Sequence, residues 1–413
     1  MAKIVLYGFF GSGNIGNDTT LEAALIHVRR YQPSATVICV CNGPHDVSRR
    51  LGIQAVPMVE HEAPRLASGA VSSWAIRLWL RIRDEVFFWL QRPRWFGPGD
   101  KFIVAGSGAV DDYGVLRPWH RPYVLYKWCK AAKMGGAQVI FLSVGAGPIL
   151  NRVSKLLLVR ALRMADYRSY RDVAAFNYLQ SIGHDTSGDL SYPDLVVSLP
   201  KTSLPTARRS SSTPTVVGLG LINYYGHRYE PGAGEVIYRE YISKITQFAA
   251  WLLREGFVIR VLAGDKSDRG PAQDLVEFVN RKGESHWRER LIVEEITNVH
   301  ELFNQIAQTD IVVASRFHNV LCALMLERPV ISLSYHEKND WLLKEMGLGS
   351  YCQHIEHFTH ERLAEQFITC TREADQIVSQ IHDRLDGYRA LLDDQYSALL
   401  SRRSDAARVG VSG

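Results

Sequence analysis

Thr309-Asp-Ile-Val-Val-Ala-Ser-Arg-Phe-His-Asn-Val-Leu-Cys-Ala-Leu-Met-Leu-Glu-Arg-Pro-Val-Ile-Ser-Leu-Ser-Tyr-His-Glu-Lys338 is the stretch whose reading decides the fold. Ile311–Ala314 is a short apolar run of the kind that forms a strand buried on both faces. A helix is expected from about His318, with Val320, Leu321, Leu324 and Met325 turned inward. Pro329 ends that connection, and Val330–Leu333 reads as the neighbouring parallel strand. Its loop carries Lys338 and leads into a further helix at Trp341-Leu-Leu-Lys-Glu-Met-Gly. A strand, a helix and a second strand in so short a span form one unit of a doubly wound sheet.

Outward from this unit the same alternation fills the chain. In the first half strands are expected at Ile4–Gly8, Val37–Val40, Lys101–Ala105, Val139–Val144 and Tyr167–Tyr170. Residues 201–214 are polar, carry no hydrophobic period and read as a linker. Beyond it strands recur at Thr215–Gly220, Val258–Ala263, Leu291–Val293, Ile311–Ala314 and Val330–Leu333. The expected architecture is therefore α/β, with two doubly wound Rossmann-like domains at 1–200 and 215–372. C-terminal helices follow at 373–400, with Ile377, Ile381, Leu385, Tyr388 and Leu392 on one side, and then a disordered tail at 401–413.

Composition narrows the class. The 413 residues include 46% hydrophobic and 22% charged side chains, enough for two large cores. A net charge of +5 suits anionic substrates or a membrane surface, and no dense basic tract marks a nucleic-acid binder. The six cysteines are scattered without CxxC or His–Cys metal spacing, so they read as reduced thiols of a cytoplasmic protein, and no metal is expected. Lys3–Gly8 reads as a strand rather than a signal peptide, and no run of about 18 apolar residues is present to span a bilayer.

In doubly wound sheets ligands bind beyond the carboxyl ends of the strands. The loop Gly8-Phe-Phe-Gly-Ser-Gly-Asn-Ile-Gly16-Asn-Asp18 joins a strand to a helix, with Thr19 and Glu22 at capping-box spacing. It is either a tight turn or a ligand loop. Asn14 and Asp18, both able to hydrogen-bond a sugar hydroxyl, favour the latter. Ala105–Asp112, with Ser107 and Asp111, and Ser143–Pro148 are further glycine loops after strands. At Tyr170-Arg171-Asp172 a helix should be capped by Asp172, which leaves Arg171 at the same sheet edge. The clearest cluster is Arg316, His318 and Lys338, from adjacent strand-end loops beside two helix N-termini. Side-chain cations and exposed amides together suit a phosphate or carboxylate.

These segments together resemble the polysaccharide pyruvyl transferases. Leu302–Leu348 is similar to that family's signature of Ser-Arg-x-His, an apolar helix, Pro-Val-Ile and a downstream lysine. Gly13-Asn-Ile-Gly-Asn-Asp18 resembles its Gly-Asn-x-Gly-Asp loop, with Asn17 as an extra residue, and Ser143–Pro148 and Tyr170–Asp172 stand where its Gly-Pro and Val-Arg-Asp elements do. The resemblance implies a GT-B-like fold. It also implies transfer of an enolpyruvyl-derived unit from phosphoenolpyruvate, a co-substrate rather than a cofactor, onto two sugar hydroxyls as a ketal. By matching position Arg171, Arg316, His318 and Lys338 would contact phosphoenolpyruvate; Asn14, Gly16, Asp18, Ser107 and Asp111, on the glycine loops, are the residues expected to face the acceptor. His318 and Asp18 are the catalytic candidates, since histidine is the side chain suited to proton transfer near neutrality. Acceptors in the family are often lipid-linked, which would set the enzyme at the inner face of the membrane. The family acid expected near the acceptor is replaced by Tyr224 and Tyr225, and the oligomeric state is open.

Residues 74–96 form an amphipathic segment rich in tryptophan, phenylalanine and arginine, ended by Pro93. Leu78, Ile82, Val86 and Trp89 line one side, and Arg77, Arg81, Asp84 and Glu85 another. It either packs on the sheet or lies on a membrane surface, with Trp79 and Phe88 inserting. Two other functions fit the fold. A nucleotide-sugar glycosyltransferase would carry acids at both ends of the helix that starts near His318, of which Glu327 alone is present. A non-catalytic saccharide-binding protein would have no need of Arg316, His318 and Lys338 together.

Overall fold

The structure, a computed structural model, describes residues 2–59, 74–106, 108–112, 118–206, 214–226, 233–282 and 285–401. Half of the linker read at 201–214, residues 207–213, and all but the first residue of the tail read at 401–413 fall outside them, and Lys201–Ser203 form a 3-10 turn. The chain divides into two compact units, Met1–Ser12 with Thr20–Leu195 and Leu392–Gly413, and Gly13–Thr19 with Val196–Leu391.

The first unit holds β1 (Lys3–Tyr7), α1 (Ile15–Tyr31, its first turn counted with the second unit), β2 (Thr36–Cys41), α2 (Pro44–Leu51), β3 (Gln54–Pro57) and α3 (Trp74–Gln91). It continues with β4 (Lys101–Ala105), α4 (Arg121–Met134), β5 (Gln138–Val144), α5 (Arg152–Arg163), β6 (Tyr167–Tyr170), α6 (Val173–Ser181) and β7 (Leu190–Ser191). The strands form one sheet in the order β3-β2-β1-β4-β5-β6-β7, and every pair is parallel. Val5 stands beside Ile38 on one side and Phe102 on the other, so the central strands are apolar on both faces, as helix-covered parallel sheets require. Tyr7, Phe102, Phe141 and Trp128 fill the core beneath α4, and Phe102 stacks on Trp128 at 6.4 Å.

The second unit repeats the plan with β8 (Val216–Gly220), α7 (Ala233–Arg254), β9 (Val258–Leu262), α8 (Arg269–Lys282), α9 (Ser285–Glu289), β10 (Leu291–Val293) and α10 (Val299–Ala307). Then come β11 (Ile311–Ala314), α11 (Phe317–Met325), β12 (Val330–Ser334), α12 (Glu337–Glu345), β13 (Cys352–His354), α13 (His360–Arg372) and α14 (Ala374–Leu400). Its sheet runs β10-β9-β8-β11-β12-β13, again parallel throughout. The deciding segment is here as expected: β11 and β12 pair Val312 with Val330 around α11.

Three strands escape the sequence reading: β3, β7 and β13. All lie at sheet edges, and each is short, polar or half-exposed, so none has the apolar run that betrays a strand buried on both faces. One helix start also differs. α1 begins at Ile15, capped by Asn14, whose side-chain oxygen accepts from Asn17 N at 3.1 Å. Thr19, expected as the cap, is a turn inside the helix, and its hydroxyl donates back to Ile15 O at 2.7 Å. The C-terminal pattern proves to be mainly α14, with Ile377, Ile381, Leu385 and Leu392 buried. That helix counts with the second unit to Leu391 and with the first from Leu392 onward.

Candidate functional site

β11 ends at Ala314 and delivers Ser315, Arg316 and His318 to the end of the sheet. Arg316 is the N-cap residue of α11, with extended backbone angles, and its side chain makes no capping bond. Its guanidinium turns instead to Asp268, with Nε at 3.0 Å and Nη2 at 2.6 Å from the carboxylate oxygens, and Nη2 also donates to Ser267 Oγ at 3.0 Å. Asp268 is almost completely buried and also accepts from Asn223 N at 3.1 Å and Gly264 N at 3.3 Å. Burial works against the charge on Arg316, but the Asp268 hydrogen bond and charge outweigh it and hold the guanidinium above its usual value. Asp268 is a site residue that the sequence reading missed. It sits in an unremarkable polar loop, and only the fold brings it under Arg316.

His318, half-buried in the first turn of α11, packs against the N-terminal loop. A Cβ on Gly16 would lie 2.0 Å from both Nδ1 and Cε1 of the imidazole, so only glycine leaves the ring its place. Gly16 belongs to the short segment Gly13–Thr19, which counts with the second unit. Asn14 fastens that segment: its Nδ2 donates to Asp265 Oδ2 at 3.3 Å, and the two residues form an isolated antiparallel bridge. Asp18 stands half-buried in the same first turn of α1. The Gly-Asn-Ile-Gly loop and the Ser-Arg-Phe-His loop, far apart in sequence, are thus in direct contact.

Lys338 lies in the first turn of α12 with its Nζ 5.4 Å from the ring centres of Phe317 and of Tyr335. Phe317 also meets His318 edge-on at 5.2 Å, so one aromatic ring separates imidazole and ammonium. Among the described residues no carboxylate forms an ion pair with Lys338, in contrast to Arg316. Asn339, fully buried, donates to Ser315 O at 2.9 Å and to Ser332 Oγ at 3.3 Å, which locks α12 onto the β11 loop. Of the two helix N-termini expected here, that of α12 is capped internally, because His336 Nδ1 accepts from Lys338 N at 3.3 Å. α11 is the one without a side-chain cap, and first-turn amides have no acceptor within their own helix.

Two neighbours refine the picture. Tyr224 donates its hydroxyl to Glu356 Oε1 at 2.5 Å, and its ring lies 6.2 Å from that of Tyr335. Glu356 lies in the loop after β13, so a carboxylate from elsewhere in the chain meets the tyrosine next to Asn223. Tyr225 stacks on Tyr238 at 5.0 Å. Glu327, the acid a nucleotide-sugar enzyme would use, is paired with His382 Nδ1 at 2.7 Å, and that hydrogen bond raises the imidazole above its ordinary value.

The remaining candidates belong to the first unit. Arg171 is not a surface arginine: its side chain is 10% exposed, with Nε donating to Asp172 Oδ2 at 3.3 Å and Nη1 at 3.5 Å from Asp194 Oδ2. Asp172 caps α6 through Ala175 N at 2.7 Å, as expected. Asp111 is half-buried in the loop after β4, with Oδ2 2.6 Å from where a Gly108 Cβ would stand. Asp112 accepts from Leu150 N and Asn151 N, both at 2.8 Å, and so joins the β4 and β5 loops. Ser107 lies outside the described residues. Among the described residues no group of His, Cys, Asp and Glu is placed to hold a metal ion.

The family model of polysaccharide pyruvyl transferase matches residues 14–337, from the loop of Asn14 and Gly16 to the residue before Lys338. No curated protein matches the chain in sequence. Solved structures share its architecture at low identity. UDP-GlcNAc 2-epimerase from Neisseria meningitidis, bound to UDP-GlcNAc, is 10% identical with a TM-score of 0.60, over 97% of this chain and 100% of that one. Anabaena HepE, in complex with UDP and glucose, is 11% identical with a TM-score of 0.57, over 97% and 99%. UDP-GlcNAc 2-epimerase from Methanocaldococcus jannaschii is 12% identical with a TM-score of 0.54, over 89% and 91%. These similarities establish a GT-B-like fold of two parallel-sheet α/β domains.

Proposed function

The chain belongs to the polysaccharide pyruvyl transferase family, and from that membership we propose that it forms a pyruvate ketal on a sugar of a cell-surface saccharide or its lipid-linked precursor, with phosphoenolpyruvate as donor. The observation that carries the reading is the cluster at the start of α11. There His318 rests on Gly16, Lys338 stands beside Phe317 and Tyr335 with no carboxylate partner among the described residues, and Arg316 is held by Asp268.

In this scheme Lys338, Arg316 and the first turn of α11 hold the donor's phosphate and carboxylate. His318 gives a proton to the terminal vinyl carbon, which becomes a methyl group, and the positive charge passes to the adjacent carbon and its oxygen. One acceptor hydroxyl attacks that carbon and loses its proton, for which Asp18 is the candidate acceptor. The carbon–phosphate oxygen bond then breaks, phosphate leaves with the electron pair, and a second hydroxyl of the same sugar closes the ketal. Two hydroxyl protons are released; one replaces that given by His318 and the other leaves with phosphate. Arg171 of the first unit enters the proposal through its motif position only, and Asp111 and Ser107 through their place in the loop after β4. Five of the six cysteines are buried, where a thiol packs as a small apolar group, and the reducing cytoplasm is where we place the enzyme.

The alternative is a nucleotide-sugar glycosyltransferase, in which Glu327, here 2.7 Å from His382 Nδ1, would meet the ribose. The test is to incubate the protein with phosphoenolpyruvate and saccharides bearing neighbouring free hydroxyls, and to follow phosphate release and the new ketal methyl signal by NMR. Turnover of UDP-sugars in place of phosphoenolpyruvate would transfer the assignment to the glycosyltransferases. Saccharide binding with turnover of neither donor would leave a binding protein.

A further inference from the structure

Helix α3 is amphipathic in the reverse of the usual sense. Toward α4 it turns Phe88, which is 2% exposed and meets Trp128 edge-on at 5.2 Å. Beside Phe88 it turns a carboxylate, Glu85, which accepts from the Tyr123 hydroxyl, from Lys127 Nζ at 3.2 Å and from Trp89 Nε1 at 2.8 Å. On the other side Trp79, Ile82, Val86 and Leu90 follow one another at helical spacing with Phe87 alongside, and all five are between 50% and 60% exposed. A helix packed on a sheet normally buries such a stripe. Rotating α3 to do so would strip Glu85 of its partners and leave Lys127 without its carboxylate, so the polar contacts hold the apolar face outward. The sequence reading that put Phe88 and Trp79 on one inserting face is corrected on this point: Phe88 is core, and Trp79 alone of the two faces out.

Charge identifies the occupant. The carboxylates of the described helix, Asp84 and Glu85, are already met by Arg83 at 2.7 Å and Lys127 at 3.2 Å. Arg81, on the opposite side of the helix from the stripe, and Arg94, in the turn after it, are exposed, and the Arg83 guanidinium lies 5.5 Å over the Trp79 ring. With both carboxylates of the helix paired, the exposed Arg81 and Arg94 leave this part of the surface in net positive charge, and an apolar stripe with one tryptophan and one phenylalanine on such a surface complements acyl chains beneath anionic headgroups. Against a second copy of the same face those arginines would meet like charges. No helix among the described residues is long and apolar enough to cross a membrane, so the match is to a surface. We propose that α3 lies in the headgroup layer of an anionic bilayer, immersing Trp79, Ile82, Val86, Phe87 and Leu90. The proposal does not depend on the reaction assigned above, although it would set that reaction where lipid-linked saccharides are presented.

The experiment uses the full chain with vesicles of phosphatidylcholine, with and without phosphatidylglycerol. The protein should sediment with the anionic vesicles, and less so as salt rises, because exposed charges are screened over about 10 Å at 0.1 M. Val86→Glu with Leu90→Glu should cut partitioning about tenfold or more while the melting temperature stays at the wild-type value, since both side chains already face water. Should the two carboxylates lower the melting temperature, Trp79→Ser with Leu90→Ser gives the same reading. A wild-type protein that stays in the supernatant with anionic vesicles overturns the proposal, as does a folded variant that binds them undiminished. A concentration-dependent dimer lost in the variant, without vesicle binding, would reassign the face to self-association.

Discussion

Arg316, His318 and Lys338 look alike in sequence as three cations, and the structure gives them three different situations. Arg316 is neutralised by buried Asp268, Lys338 has no carboxylate partner among the described residues, and His318 is positioned by the absence of a side chain at Gly16. Gly16→Ala therefore tests the site without touching a charged group. Inside a helix the exchange normally stabilises by roughly 0.5–1 kcal/mol, and Gly16 has no positive φ to forbid it. The added methyl must displace the imidazole. The variant should keep its melting temperature and lose phosphate release, approaching His318→Gln, which should be slower by about 10²–10⁴ if His318 is the general acid. Wild-type turnover in Gly16→Ala would show that the ring's seat on Gly16 does not matter for the chemistry.

At the scale of elements, α14 contributes to both units. Its C-terminal turns supply Tyr396, fully buried and stacked on His27 at 4.1 Å. They also supply Gln395, which donates to Ser169 Oγ at 2.8 Å and to Tyr167 Oη at 2.9 Å. These contacts close the core of the first unit with a segment from the far end of the chain. Tyr396→Ala should destabilise that unit by about 3 kcal/mol, the usual order for removing a buried aromatic ring. Equilibrium denaturation would show this as a shift in the transition; an unchanged midpoint would mean that the last turns of α14 are dispensable.

For the molecule as a whole, the proposed donor site would couple binding to stability, and the different settings of Lys338 and Arg316 would allow the two to be separated. If phosphoenolpyruvate binds the native protein, it adds about 2.7 kcal/mol at a hundredfold excess over Kd, visible as a rise in melting temperature. Lys338→Ala should leave the ligand-free melting temperature unchanged and weaken binding by a contact of roughly 1.5–3 kcal/mol. Arg316→Ala should instead melt earlier without any ligand. It strands buried Asp268, at a cost of roughly 3 kcal/mol, the lower end for a broken buried pair because two backbone amides still serve that carboxylate. Equal effects of both substitutions on the ligand-free protein would contradict the separation.

The central strands, the βαβ unit around His318 and the Arg-x-His and Gly-Asn loops were legible in the sequence because each is a local signal. Apolar runs buried on both faces, glycines at strand ends and a proline before a strand depend on neighbours a few residues away. The edge strands β3, β7 and β13 were not, since they are short and polar or half-exposed, unlike the edge strand β10, whose Leu-Ile-Val run shows in the sequence. Nor were Asp268 beneath Arg316, Gly16 beneath His318, Glu356 on Tyr224, or the outward turn of α3. Those facts rest on contacts between residues far apart in the chain. Composition and spacing set which faces can be buried, but the partner each buried or charged group meets is chosen only when the sheets and helices close around it.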